Sequence, residues 1–258
     1  ATYLTAQTKG GGVYVNSPSQ GLTIGGATLG GLTGITTLGN SGGTVTVQAG
    51  GTLDVNQAID THAAATSGLA GGAVLLKSSG AINTATTNGT ITTTGGTSGS
   101  TGGTGGEVFV YSTGAGDITL GAAIQAKGGD VTAGTNGSGG VVTIRNDSGA
   151  IVLYDITTAA GSGGSGGSAG TIQVKSAGGD ITQTASTVLT AANVKALSDS
   201  NVTLANSGNN ATTVAASITA ANKAFSYRDT DAVAVGSITV DGSTIDGTNA
   251  QLGTVTGI

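Results

Sequence analysis

Gly139-Gly140-Val-Val-Thr-Ile-Arg145 is the stretch from which the fold is read, because four other segments repeat its pattern. They are Gly42-Gly43-Thr-Val-Thr-Val-Gln48, Gly71-Gly72-Ala-Val-Leu-Leu-Lys77, Gly105-Gly106-Glu-Val-Phe-Val-Tyr111 and Ala169-Gly170-Thr-Ile-Gln-Val-Lys175. Successive segments start 29, 34, 34 and 30 residues apart, a spacing that marks a repeat architecture. Alternate positions are aliphatic: Val45/Val47, Val74/Leu76, Val108/Val110, Val142/Ile144 and Ile172/Val174 share one side of a strand. A second apolar piece follows, centred on Leu53, Ile82, Ile118, Ile151 and Ile181, and then a third on Ile59, Ile91, Ile124, Ile156 and Val188.

No repeat can bury three short apolar strips alone. Stacking repeats ~4.8 Å apart pairs each strand with its counterparts above and below and closes a continuous interior. The expected class is therefore all-β: a parallel β-solenoid with about three short strands per 29–34-residue coil. The Gly, Ser and Thr runs after the third strand, as in Gly95 to Gly106 and Gly161 to Gly170, recur at one phase and read as stacked loops, not linkers. Helix is a poor competitor, since its weak formers Gly, Thr, Val and Ile dominate; its nearest approach is Ser186 to Leu197, rich in Ala and Leu. Residues 1–258 read as a single solenoid, with 42–198 the most regular coils and 1–41 and 199–258 irregular coils that resemble inter-repeat modules. Val13-Tyr-Val15 with Leu22-Thr-Ile24-Gly25 is echoed by Phe225-Ser-Tyr227 with Val233-Ala-Val235-Gly236, the two glycines 211 apart, which suggests one period of a longer tandem array.

Composition narrows the function. Gly supplies 50 of 258 residues, Pro one, and Trp, Met and Cys none, while 8% are charged and 3% aromatic, so the core must be thin and built from Val, Ile, Leu and Ala. With 37% hydrophobic residues and mean hydropathy of +0.20, the chain is too apolar and too weakly charged to be intrinsically disordered. No apolar run reaches the roughly 18 residues of a membrane span. A net charge of −5 and a pI near 4.4 argue against nucleic acid or anionic membrane as partners. Without Cys there is no disulfide framework, thiolate metal site or Cys nucleophile. The start at Ala1, the lack of any Met and the lack of a signal-peptide pattern read as a processed product or a segment of a longer polypeptide.

Outward residues of a solenoid form ladders, and ladders display its chemistry. One ladder reads Gln48, Lys77, Tyr111, Arg145, Lys175; two residues earlier it reads Thr46, Leu75, Phe109, Thr143, Gln173. Leu75, Lys77, Phe109, Tyr111 and Arg145 therefore form the candidate interaction patch, able to stack a sugar or a neighbouring chain, or else to lie under the Gly-rich loops as a second core. No catalytic, cofactor-binding or metal-binding residues are assigned. Asp117 and Asp180 share a repeat phase that Ala81 and Ala150 interrupt, and no spacing ensures converging carboxylates. Gly-Gly-x-Gly-x-Asp calcium repeats are lacking. His62 is the single His and reads as a solvated loop residue, with no Gly-x-Ser-x-Gly elbow to support a triad.

The phrase Gly170-Thr-Ile-Gln-Val-Lys-Ser-Ala-Gly-Gly-Asp-Ile-Thr182 resembles the filamentous haemagglutinin family of bacterial secreted adhesins, as do Gly43 to Val55 and Gly106 to Leu120. Phe225 to Gly236 is similar to spacer modules of very long proteins assigned to that family. The resemblance implies a right-handed β-helix, export by two-partner secretion or an autotransporter route, and an extracellular, cell-surface or biofilm-matrix role. The expectation is a non-enzymatic structural or adhesive segment of a long secreted surface fibre, which assembles along its axis by continuation of the polypeptide or end-to-end stacking of copies. Cell-surface or matrix glycans are further candidate partners. The rival readings are a carbohydrate-binding or polysaccharide-cleaving β-helix, which needs a groove of clustered Asp, Lys and Arg, and an ice-binding solenoid, which needs a flat Thr-x-Thr array.

Overall fold

The computed structural model describes every residue except Ala1, Ala27 and Leu29, and among the described residues it is all-β, with no helix. The repeating strands fall on three faces. On the first, Val13–Ser17, Val45–Ala49, Val74–Ser78, Val108–Ser112, Val141–Asn146 and Thr171–Ser176 pair in parallel, with Val45, Val74, Val108, Val142 and Ile172 in file. The second is a 9-stranded parallel sheet from Tyr3–Leu4 to Phe225–Tyr227, in which Leu22, Leu53, Ile82, Ile118, Ile151, Ile181 and Val202 stand one above another. The third stacks Ile35, Ile59, Ile91, Ile124, Ile156 and Leu189. Nine rungs on the second face, at ~4.8 Å each, make a rod roughly 40 Å long.

The interior is aliphatic. Val47, Leu53, Ile59, Leu76, Ile82, Ile91, Ile144 and Ile151 have no exposed surface, and full burial of such a side chain is worth about 1.5–3 kcal/mol. The third strand corrects one position of the sequence reading. Leu189, not Val188, lies opposite Ile156, since a one-residue shift reverses every side chain in a strand, and the amide of Val188 is instead held by Asp155. The Ala- and Leu-rich stretch is strand, Leu189–Ser198, which runs unbroken from the third face onto the first because it lacks the Gly-rich loop of earlier coils. Asn210–Ile218 does the same, and with Asn193 opposite Thr171 and Thr213 opposite Asn193 these coils shorten to 22 and 20 residues. The 29–34-residue coil thus holds only as far as Thr171.

The Gly-rich loops stack as expected, and their glycines form a seam. Gly96 donates to Leu69 O, Gly103 to Gly96 O, Gly129 to Gly103 O, Gly137 to Gly129 O and Gly161 to Gly137 O, so outgoing and returning arms of successive loops are stitched in a zigzag along the rod. Thr61 Oγ1 to Gly72 O (2.7 Å) and Thr93 Oγ1 to Gly106 O (2.9 Å) fasten the loop roots. Backbones approach so closely that a Cβ on Gly137 would lie 1.9 Å from Gly103 O.

The winding ends at Ala234–Val235, and the final segment is not another coil. Ser237–Ile238 pairs antiparallel with Val255–Thr256, and Thr244–Ile245 with Thr248–Asn249, giving a long hairpin arm. This corrects the reading of 199–258 as coils throughout: Asp246-Gly247 turn the hairpin, and Gly247, Gly253 and Gly257 take positive φ, where a further rung would need extended backbone. The terminal echo is also corrected. Val13-Tyr-Val15 lies on the first face but Phe225-Ser-Tyr227 on the second, so the 211-residue spacing does not superpose equivalent strands.

Gly137→Ala is expected to cost about 1–3 kcal/mol through overpacking, read as a lowered denaturant midpoint. Gly99→Ala, where a Cβ would meet nothing within 4 Å, is expected to leave the midpoint unchanged.

Candidate functional site

Parallel register brings Thr46, Leu75, Phe109, Thr143, Gln173, Lys195 and Ala215 into one outward column on the first face. None of it is open to solvent, and Leu75, Phe109 and Lys195 have no exposed surface. The cover is the carboxy-terminal arm, not the Gly-rich loops. Ile245 and Ala250 pack on Leu75 and Phe109, with Tyr111 at the margin, while Ile238 and Val255 pack on Ala215 beside Leu197. The Leu75 and Phe109 half of the candidate patch is therefore core.

Polar contacts hold the arm along its length. Lys195 Nζ donates to Asp241 Oδ1 (2.5 Å), Val240 O (3.0 Å) and Gly253 O (2.8 Å), so its three protons are all used. Asp241 also accepts the amides of Leu252 and Gly253, which closes the hairpin around the ammonium. Ser243 donates to Glu107, and Gln48 Nε2 reaches Asp246 Oδ2 (3.4 Å) at the tip. Between these points Gln173 Nε2 donates to Thr143 Oγ1 (2.9 Å), and Gln173 Oε1 is buried with no partner.

The other half of the patch forms the arm's rim. Lys77, Tyr111 and Arg145 are register partners on adjacent rungs, and the Tyr111 ring has the Arg145 guanidinium 4.7 Å and the Lys77 ammonium 5.7 Å from its centroid. Phe109 stacks beside it at 5.4 Å and 8°. Tyr111 donates its hydroxyl proton to Asp147 Oδ2 (2.5 Å), and Arg145 Nε donates to Asp147 Oδ1 (2.8 Å). Burial, with the hydrogen bond to Asp147, raises the Tyr111 pKa above the usual phenol value, and Arg145 opposes the shift. The structure thus joins Lys77, Tyr111 and Arg145 as expected, but the ring is engaged by its own neighbours and is not a bare platform for a sugar.

Carboxylates act as staples between coils. Asp117 accepts the amide of Ala150 (2.8 Å), and Asp155 that of Val188 (2.6 Å). The Asp130 pKa is lowered first by the Ser162 amide and then by Lys127 and the Ser162 hydroxyl; that of Asp180 is lowered by the Ser200 hydroxyl and the Asn201 amide and side chain. His62 is half exposed, with Nδ1 against Asp60 Oδ1 (2.5 Å). Among the described residues no three His, Asp or Glu side chains gather as a metal site would require.

The sequence reading missed the roles of Lys195, Asp147 and Asp241, and the buried polar file Ser78, Ser112, Asn146 and Ser176. That file lies one residue past the quoted segments and binds turn carbonyls, as Ser112 Oγ does Gly80 O (2.8 Å) and Asn146 Nδ2 does Gly116 O (2.9 Å). Lys195 follows Gln173 in the outward column, but the shorter coil hid the register. Comparison with protein-family models, with curated proteins and with solved structures returned no match.

Lys195→Met is expected to cost about 3 kcal/mol because it leaves the Asp241 carboxylate without its cation, and adding Asp241→Asn, which removes the charge and keeps an oxygen to accept an amide proton, is expected to recover part of the loss; denaturant unfolding reads both. The pH response follows from the shifts. Depressed Asp130 and Asp180 favour the fold above the unfolded aspartate pKa near 3.8, and that contribution is lost as pH falls through the lower folded values. Raised Tyr111 favours the fold below its unfolded pKa of 10.0, and this is lost as pH rises beyond it. Tyr111→Phe is expected to flatten the alkaline decline in stability, and unfolding measured at a series of pH values tests it.

Proposed function

We propose that the chain is a structural or adhesive segment of a long, secreted bacterial surface fibre, extended along its axis by covalent continuation or by stacking of copies. The observation that carries this reading is the chemistry of the two rod ends. Val13 donates its amide to Thr44 O, so parallel alternation turns the N–H and C=O of Tyr14 and Asn16 toward the open side of the first rung. At the other end Gly236 donates to Val214 O, which turns those of Val235 outward. Unpaired parallel edges of this kind are templates for another strand.

Five of the large exposed apolar side chains lie toward the same places, the others being Leu69 on a Gly-rich loop and Val240 on the arm. Tyr3 and Tyr14 stand on the first rung and Leu38 on the second, with Val235 and Ile258 at the opposite end. Phe225 and Tyr227, stacked at 6.5 Å and 2°, lie over the end of the core, and Tyr227 donates to Asp229 Oδ2 (2.7 Å). An apolar end with free backbone groups suits axial contact with more solenoid. The secreted, bacterial part of the proposal rests on the resemblance of Gly43 to Val55, Gly106 to Leu120 and Gly170 to Thr182.

The rival readings draw less support. Asp117, Asp130, Asp155 and Asp180, which a glycan-cleaving helix would need free, hold backbone amides, and the outward column an ice-binding face would need lies beneath the arm.

Micrographs of the concentrated 258-residue chain are expected to show unbranched filaments that lengthen with concentration, with an axial spacing of ~4.8 Å in fibre diffraction. Tyr14→Pro removes an edge N–H that has no partner, so it is expected to keep the rod and leave it single. Single rods from the unaltered chain at every concentration would remove stacking and leave only covalent continuation.

A further inference from the structure

The arm is attached in two different ways. At its root the bonds are between backbones: Gly257 donates to Gly236 O and Ala216 to Gly257 O. Beyond the root, among the described residues, every hydrogen bond between arm and rod involves a side chain: Lys195, Glu107 with Ser243, and Gln48 with Asp246. Both strands of the hairpin return to the same end of the rod, where Gly236 and Gly257, the latter at φ 71°, flank the hairpin. From there the arm lies across the strands, from Ala215 on the eighth rung of the first face to Gln48 on the second.

We infer that the arm is an exchangeable clasp: the column from Thr46 to Ala215 accepts the arm of a second copy as it does its own, and reciprocal exchange joins two rods at their carboxy-terminal ends. An open rod would bare Leu75, Phe109 and the Lys195 ammonium, so the column must be refilled. Any copy's arm restores every contact, and the closed and exchanged forms differ only in the hinge and in chain concentration.

The occupant is specified by the polar groups. Lys195 requires two carbonyls and a carboxylate placed as in Val240, Gly253 and Asp241, and Glu107 meets the Ser243 hydroxyl. An apolar hairpin without that carboxylate would bury an unpaired ammonium, which excludes it more strongly than the apolar fit alone. Exchange joins like ends, whereas the stacking proposed above joins unlike ends, so the two would compete for the carboxy-terminal end of the rod.

The chain lacks Cys, so introduced thiols report without background. Gln48→Cys and Asp246→Cys mark the two sides of the tip contact, each placed in the Tyr14→Pro background so that stacking does not contribute. The doubly substituted chain, treated with a short thiol-to-thiol crosslinker, is expected to close within itself. The two singly substituted chains, unfolded together and refolded at rising concentration, are expected to give a crosslinked heterodimer whose yield rises with concentration; neither alone gives it. A mixture that stays monomeric on a denaturing gel at every concentration, while the double variant closes, would overturn exchange. Failure of the double variant to close would overturn the docked arm itself, and neither result bears on stacking.

Discussion

In a parallel solenoid each residue sits ~4.8 Å above and below its counterparts, so every position must tolerate copies of its own environment on both sides. Inward positions meet this condition with Val, Ile and Leu, which nest on one another. At the loop seam two backbones also converge from successive coils, and only glycine leaves room; the approach of Gly103 O to Gly137 shows how little space remains. Polar groups follow the same rule. Ser78, Ser112, Asn146 and Ser176 occupy one buried file because each can bind the turn carbonyls beside it. The composition that looked like linker is thus a consequence of close stacking.

Stacking alone would leave the rod a chain of nearest-neighbour contacts, able to fray from either end. The arm changes that by joining rungs that do not touch one another. Ala215, Lys195, Phe109 and Leu75 lie on different rungs, yet one hairpin packs on all of them. It also resolves what would otherwise be an exposed apolar strip on the side of the rod. The Lys77–Tyr111–Arg145–Asp147 cluster on the side of the rod is internally satisfied; of the large exposed apolar residues, Tyr3, Tyr14, Leu38, Val235 and Ile258 lie toward the ends, Leu69 on a Gly-rich loop and Val240 on the arm.

Much of this was legible in the sequence. The register of Val45, Val74, Val108, Val142 and Ile172, and that of Leu53, Ile82, Ile118, Ile151 and Ile181, follows directly from the repeat. Reading failed where the period changed. Leu189–Ser198 lost its loop, so the third-strand residue was misplaced by one and Lys195 was not placed in the outward column at all. The candidate patch was correctly assembled as a ladder, but its exposure was not something the ladder could state. The cover on Leu75 and Phe109 comes from Ile245 and Ala250, which no repeat links to them.

The sequence by itself determined the coil, its inward faces and its stacked loops, because those interactions recur at a fixed spacing and each repetition confirms the last. Only the tertiary structure decided which outward residues are buried and which meet solvent. The contact between Lys195 and Asp241, or between Gln48 and Asp246, happens once, between segments with no shared pattern, and depends on where the chain turns back after Gly236. A single long-range packing event of that kind leaves no periodic trace in the residues that make it.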